Sequence, residues 1–173
     1  HQEARRQRQM CIRDRYTHIP TPNGDVIPFL IQNMFTDEQV LHARRVLEFY
    51  LTNIPESEWG ANKESVANAI GLTDAILFLL NDESEYENPN LLELIDLGVK
   101  GQDLLSTEVF PEGTEEYMNS SERDATYEEI LHFVHGFGIQ IALPAMQAAL
   151  ETAMGEAIQN NYYMPLWLSL IHI

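Results

Sequence analysis

The chain has 173 residues, of which 27 are acidic and 10 are basic, and its net charge at pH 7 is −17. Such an excess of negative charge repels nucleic acids and anionic membranes, so neither is an expected partner. The one cysteine, Cys11, excludes an internal disulfide and any cysteine-rich metal site. No apolar run approaches the roughly 18 residues of a membrane-spanning helix.

Both ends of the sequence look foreign to the protein. Residues 168–173 resemble a translation of the transposase end sequence found in library adapters, and residues 10–15 resemble its reverse complement. We therefore expect residues 1–15 and 168–173 to be adapter-derived, and 16–167 to be one domain cut from a longer protein. Removing the ends takes away five basic and two acidic residues together with Cys11, which changes the net charge to −20.

The first native segment predicts a turn followed by a short strand. Asn23-Gly24 is a turn signal, and the β-branched residues at 26–31 favour a strand. Pro28 lacks a backbone N–H group, so we expect an edge strand. His18 is expected in the loop that precedes this strand.

A helix is predicted from Thr36 to about Thr52. Thr36 and Gln39 have the spacing of a capping box, which satisfies backbone N–H groups at the start of a helix. The helical period places on its buried face Val40, Ala43, Leu47, Tyr50 and Leu51. His42 and Glu38 lie one turn apart, but no third metal-binding group is near them in the sequence.

The middle of the chain alternates short elements. A helix at 63–70, capped by Asn62 and ended by Gly71, precedes an apolar run at 75–80 that predicts a buried central strand. An acidic loop at 84–90 leads to a helix at 91–97, capped by Asn90 and ended by Gly98. Alternation of Leu105, Thr107 and Val109 predicts a half-buried strand within 103–110. Gly113 marks a turn, and a short extended piece is expected at 114–118.

Two helices are predicted near the C-terminus. The first covers about 124–136 and is expected to break at Gly136-Phe137-Gly138. The second begins near Pro144 and ends near Asn160, with a core face formed by Met146, Ala149, Leu150, Ala153 and Ala157. The order of elements predicts an α+β fold, with a small sheet packed against helices.

The helix at 124–136 contains the residues with the clearest potential for chemistry. At about 100° per residue, Glu128, His132 and His135 fall within roughly 60° of one another on one face. Glu129 lies beside them as a further carboxylate. This spacing is typical of metal ligands on a single helix. Glu129-x-x-His132 also has the spacing of a di-iron bundle unit, but the native chain has no second such unit.

The segment Glu128-Glu129-Ile130-Leu131-His132 resembles the H-E-x-x-H active helix of zincin-type metallopeptidases, with Glu in place of the first His. The resemblance implies that Glu128 and His132 bind a metal and that Glu129 activates a metal-bound water. It also implies a zincin-like N-terminal subdomain. Carboxylate oxygen suits several metals, so the implied cofactor is zinc or another divalent cation.

The third ligand stays open at this point. His135 is the candidate on the same helix, Glu156 and the weaker Glu151 follow later in the chain, and a residue beyond Trp167 is another source. The implied function is a metal-dependent hydrolase, a peptidase that acts on peptide or protein substrates. An extracellular or periplasmic location is slightly favoured for so acidic a protein.

A second hypothesis needs no metal. Thr126 and Glu129 have the spacing of a capping box, although Asp124 competes as the cap and would leave Glu129 free. Acids in the first turn and histidines near the end of a helix are favoured by the helix dipole. The chain would then be a non-catalytic zincin-like or structural domain of an acidic protein.

Overall fold

The computed structural model describes residues 15–119 and 123–162. It contains a four-stranded sheet with the strand order β1-β2-β3-β4. The strands are β1 (Arg15–Pro20), β2 (Val26–Ile31), β3 (Ile76–Leu80) and β4 (Gly101–Leu105). β1 is antiparallel to β2, whereas β2, β3 and β4 are parallel. The mixed sheet and its helices confirm the predicted α+β class.

The described part of the chain also contains seven α-helical segments. They are α1 (Asp37–Leu51), α2 (Glu64–Leu72), α3 (Pro89–Asp96), α4 (Glu115–Asn119), α5 (Thr126–Val134), α6 (Gln140–Ala142) and α7 (Pro144–Gln159). Short 3-10 turns occupy Glu83–Glu87 and Ser106–Glu108. A π-helical turn, His135–Ile139, joins α5 to α6.

The centre of the sheet is buried on both faces. Every residue of β3 is buried, as the apolar run predicts for a central strand. Successive side chains of a strand point to opposite faces. Leu77 and Leu79 accordingly join the larger core beneath α1, α2 and α5, while Ile76 and Phe78 join a smaller core that includes α3. β4 forms one edge of the sheet, and α5 lies alongside it.

The N-terminal prediction was wrong in two respects. His18 lies within β1 rather than in a loop, and β2 is an internal strand rather than an edge strand. Pro28 is tolerated because β2 pairs with β3 only from Phe29 onward, beyond the residue that lacks an N–H group. Arg15, which the sequence places in the adapter, is the first residue of β1 and its guanidinium binds Asp37.

The predicted helix boundaries are confirmed at α1 and corrected at α2 and α3. Thr36 and Gln39 form the expected capping box at α1. The Asn62 side chain accepts a hydrogen bond from the Glu64 backbone at 2.9 Å, but α2 continues through Gly71 instead of ending there. α3 is capped by Asn88 rather than Asn90.

The segment after β4 turns earlier than predicted. The Glu108 carboxylate accepts a hydrogen bond from the Leu105 backbone at 2.9 Å, and this closes a 3-10 turn where the alternation predicted more strand. The segment 114–118 was expected to be extended, but its residues from 115 onward are helical and belong to α4. The Thr114 hydroxyl stabilises the start of that helix by accepting from the Tyr117 backbone at 3.3 Å.

The Gly136-Phe137-Gly138 segment does not break the helix. The chain continues through it as the π-helical turn, which packs against α2. A Cβ atom at Gly138 would lie 2.7 Å from Cγ1 of Val66 and 3.0 Å from Cγ1 of Ile70. Gly138 is therefore needed for the close approach of two helical segments, whereas a Cβ at Gly136 would meet nothing within 4 Å.

α7 was predicted to be a core helix, and this was wrong. No residue of α7 is buried, and Leu150 on its expected core face is 44% exposed. Within the described residues, the main contacts of α7 are with α6 and the π-helical turn. In the described residues no single helix is long and apolar enough to span a membrane, although 126–142 and 144–159, bent by 117°, would pass together by length and composition.

Alanine substitutions at the two glycines test this packing. We expect Gly138→Ala to lower the free energy of unfolding by about 1–3 kcal/mol, because the added methyl group overpacks the contact with α2. Gly136→Ala is the matched control and should be neutral, or stabilising by up to about 1 kcal/mol through helix propensity. Urea denaturation measures both values. Equal effects of the two substitutions would contradict the close approach.

Candidate functional site

Asp124 organises the start of α5. Its Oδ1 atom accepts hydrogen bonds from the Thr126 backbone N–H at 3.3 Å and from the Thr126 hydroxyl at 2.6 Å. No side-chain capping bond comes from Ala125, the residue before the helix. The sequence offered Asp124 and a Thr126–Glu129 capping box as alternative caps. The Asp124 carboxylate accepts from the first residue of the helix, and Glu129 is not used in a capping box.

Glu129 instead faces the sheet edge. Its Oε2 atom accepts a hydrogen bond from the Gln102 side chain on β4 at 2.7 Å and lies 3.5 Å from Nδ1 of His132. Burial raises the pKa of the Glu129 carboxyl, since only 25% of its side chain is exposed; His132 acts in the opposite direction. The pair predicted from the sequence, Glu129 and His132, is thus brought together.

The other predicted ligands are not brought to this pair. His135 lies at the start of the π-helical turn, and its Nε2 atom is 2.7 Å from the side-chain oxygen of Gln147 on α7. Glu128 is exposed on α5, and Glu156 is exposed on α7. Within residues 15–119 and 123–162, no three His, Cys, Asp or Glu side chains form a group that could hold a metal ion.

Further acidic groups crowd the edge formed by β4. Tyr86 donates a hydrogen bond to Asp103 at 2.5 Å, and burial together with this carboxylate raises the pKa of the Tyr86 hydroxyl. Burial is also the main cause of the raised pKa of Glu108, to which the charges of Asp103 and Glu128 contribute. The charge of Asp103 on β4 also contributes to the raised pKa of Glu129, so the acidic groups at this edge influence one another.

A buried pair that was not predicted from the sequence links α1 to the segment just before α5. Nε2 of His42 is 2.8 Å from Oδ2 of Asp124, and the two side chains are only 9% and 6% exposed. From the sequence, the one partner predicted for His42 is Glu38, one helical turn away. The apolar Val46, one turn after His42, was the signal available in the sequence: the structure buries both, so the buried face of α1 is wider than predicted.

Contacts near this pair join α1 to α5. The Tyr127 ring meets His42 edge-on, with ring centroids 5.9 Å apart. The Tyr50 hydroxyl donates to the Tyr127 carbonyl at 3.1 Å. Asp124 Oδ1 also accepts from the Phe110 backbone at 3.2 Å, which adds the segment after β4 to the same junction.

A cavity of about 520 Å³ lies beside this junction. His42 forms part of its wall, together with acidic side chains from α1 and from the turn before α4, and the rings of Phe49 and Tyr127. The Tyr127 hydroxyl donates to Glu112 in the same wall at 3.0 Å. The chain thus has two polar regions around α5, one at the β4 edge and one at this cavity.

Comparisons with known proteins found no matching protein family, no similar curated protein and no similar solved structure. The zincin resemblance consequently depends on the residues of α5 alone.

The raised pKa of Glu129 predicts a particular pH dependence of stability. The folded chain holds this proton more tightly than the unfolded chain, so the contribution of Glu129 to the free energy of unfolding falls as pH rises above the ordinary glutamate pKa of about 4.3. Glu129→Gln removes this loss and keeps an acceptor for Gln102. We expect the free energy of unfolding of the variant, relative to that of the wild type, to increase from acidic to neutral pH.

The matched control is Glu128→Gln, which removes the neighbouring, exposed carboxylate. Urea denaturation across a pH series measures both variants against the wild type. The same pH slope for the two variants would show that burial of Glu129 has no special effect on stability.

Proposed function

We propose that this chain is a non-catalytic domain of an acidic protein, in which the zincin-like helix α5 has a structural role. The main support is the set of partners that the predicted site residues have. Glu129 binds Gln102 of β4, and His135 binds Gln147 of α7. These side chains therefore join α5 to the sheet edge and the π-helical turn that follows it to α7.

The roles implied by the zincin resemblance conflict with the geometry of Glu129 and His132. A general base must reach the metal-bound water, whereas a carboxylate that contacts the second ring nitrogen of a ligating histidine orients that ring. Glu129 contacts Nδ1 of His132 at 3.5 Å, so it would orient His132. A catalytic zinc also needs three protein ligands, and the described residues provide no such group. Within the part of the chain that the structure describes, the residues around Glu129 and His132 do not fit the implied metal.

One observation favours a second candidate function, the metal-dependent hydrolase. Glu129 is partly buried, has a raised pKa and lies beside a histidine, which is a common arrangement at catalytic sites. Under this candidate the chain would be a peptidase with zinc or another divalent cation. Peptides or proteins would be its substrates, in an extracellular or periplasmic setting.

Zinc retention separates the two candidates. The full chain, His132→Ala and the control His18→Ala, which removes an exposed histidine on β1, are loaded with Zn²⁺, dialysed and analysed by mass spectrometry for metal content. We expect all three to retain the same small amount, well below one ion per chain. About one ion in the wild type and in His18→Ala, lost in His132→Ala, would overturn the proposal in favour of the hydrolase.

A further inference from the structure

α7 has an apolar face that no part of the described chain buries. Leu150, Met154 and Ile158 are 44%, 37% and 38% exposed, and no residue of the helix is buried. The side-chain hydrogen bond of α7 to another element is made near its start, where the side-chain oxygen of Gln147 lies 2.7 Å from Nε2 of His135. Most residues of the turns that follow are exposed.

The pattern of this face is typical of a helix that packs against another element. At about 100° per residue, its apolar residues fill an arc of about 180° and extend along about 18 Å of helix. They are Met146, Ala149, Leu150, Ala153, Met154, Ala157 and Ile158. Single apolar residues scattered over a surface need no partner, whereas a continuous stripe with the spacing i, i+3, i+4 and i+7 marks a contact surface. The face therefore indicates a partner outside the described residues.

The charges that border the face indicate what kind of partner fits it. The charged residues of α7 are Glu151 and Glu156, and both are exposed. On a helical projection, each lies about 20° outside one border of the apolar arc. In a pair of helices, the residues that flank the apolar stripe meet the flanking residues of the partner. A partner with Lys or Arg at those positions is attracted, whereas an acidic partner is repelled.

The same charges disfavour a second copy of this chain as the partner. α7 has no basic residue, so two α7 helices would bring acid against acid in either orientation. The net charge of −17 adds repulsion between copies and attraction of a basic partner. Charge complementarity therefore favours a basic partner for this face.

We propose that the apolar face of α7 is a docking surface for an amphipathic helix that has Lys or Arg residues on both sides of its apolar stripe. Leu150, Met154 and Ile158 pack against that stripe, which is a common mode of helix recognition. Glu151 and Glu156 pair with the flanking cations. The surface is separate from the β4 edge and does not depend on whether α5 has a structural or a catalytic role.

Three synthetic peptides of the same length as α7 test this assignment on the full chain. The first has Leu at the a and d positions of a heptad pattern and Lys at the flanking positions. The second has Glu in place of Lys, and the third has the residues of the first in scrambled order. Backbone amide signals of α7 are followed by NMR during each titration.

We expect saturable binding of the Lys peptide at α7, and binding at least about tenfold weaker for the other two peptides. Equal binding of the scrambled peptide would show attraction by charge alone and would overturn the proposal. Equal binding of the Glu peptide, or signal changes that do not include α7, would overturn it as well.

Variants of exposed residues locate the contact. Leu150→Gln and Met154→Gln should each raise the Kd for the Lys peptide by about tenfold, because each removes apolar surface from the face. Ile95→Gln is the matched control, since Ile95 is 59% exposed on α3, which joins the smaller core, and it should leave the Kd within about twofold. Combining Glu151→Lys with Glu156→Lys should lower the preference for the Lys peptide over the Glu peptide by at least about tenfold. An unchanged preference, or an equal effect of Ile95→Gln, would contradict the assignment.

Sedimentation velocity tests the second copy as the occupant. We expect the wild type to be monomeric over the concentrations used in the titrations. A dimer that Leu150→Gln dissociates would overturn the proposal, because the face would then bind another copy of this chain.

Discussion

The buried hydrogen bond between His42 and Asp124 is the interaction on which the arrangement of the helices depends. A carboxylate as buried as Asp124 loses several kcal/mol of hydration, so it is stable only when its oxygens are satisfied. Here the His42 ring, the backbone of Phe110 and both donors of Thr126 satisfy them. These donors come from α1, from the segment after β4 and from the first residue of α5. One side chain therefore fixes the relative positions of three parts of the chain.

The positions of both polar regions follow from this junction. With its first residue fixed, α5 runs alongside β4, and Glu129 meets Gln102 at the sheet edge. The π-helical turn then carries His135 to Gln147 of α7. On the other side, the same junction places His42 in the wall of the cavity. One end of α5 is thus fixed by a pair that borders the cavity, and a carboxylate further along the same helix docks it on the sheet edge.

Local signals predicted much of the fold, because the groups that define them are close in sequence. The Thr36 and Gln39 capping box, the apolar strand around Leu77–Leu79 and the turn at Gly113 each depend on neighbouring residues. Predictions failed where a distant partner decides the outcome. The role of Gly138 depends on Val66 and Ile70 of α2, and the exposure of α7 depends on what the rest of the chain leaves uncovered.

The candidate site shows the same division. The contact of Glu129 with His132 follows from their i, i+3 spacing on a helix, and it was predictable for that reason. The side chains that engage Glu129 and His135, namely Gln102 and Gln147, lie on other elements. His42 and Asp124 are 82 residues apart, and no periodic pattern connects them. The sequence therefore identified the helix with chemical potential, but it did not identify the pair that positions it.

A double-mutant cycle of His42→Ala, Asp124→Ala and the combined variant, measured by urea denaturation, tests the central claim most directly. Each single substitution should cost about 3 kcal/mol, because it leaves a buried polar partner unsatisfied. The combined variant should cost little more than either single variant, which corresponds to a coupling energy of about 2 kcal/mol. Additive effects of the two substitutions, with no coupling, would show that the pair does not hold α1 and α5 together.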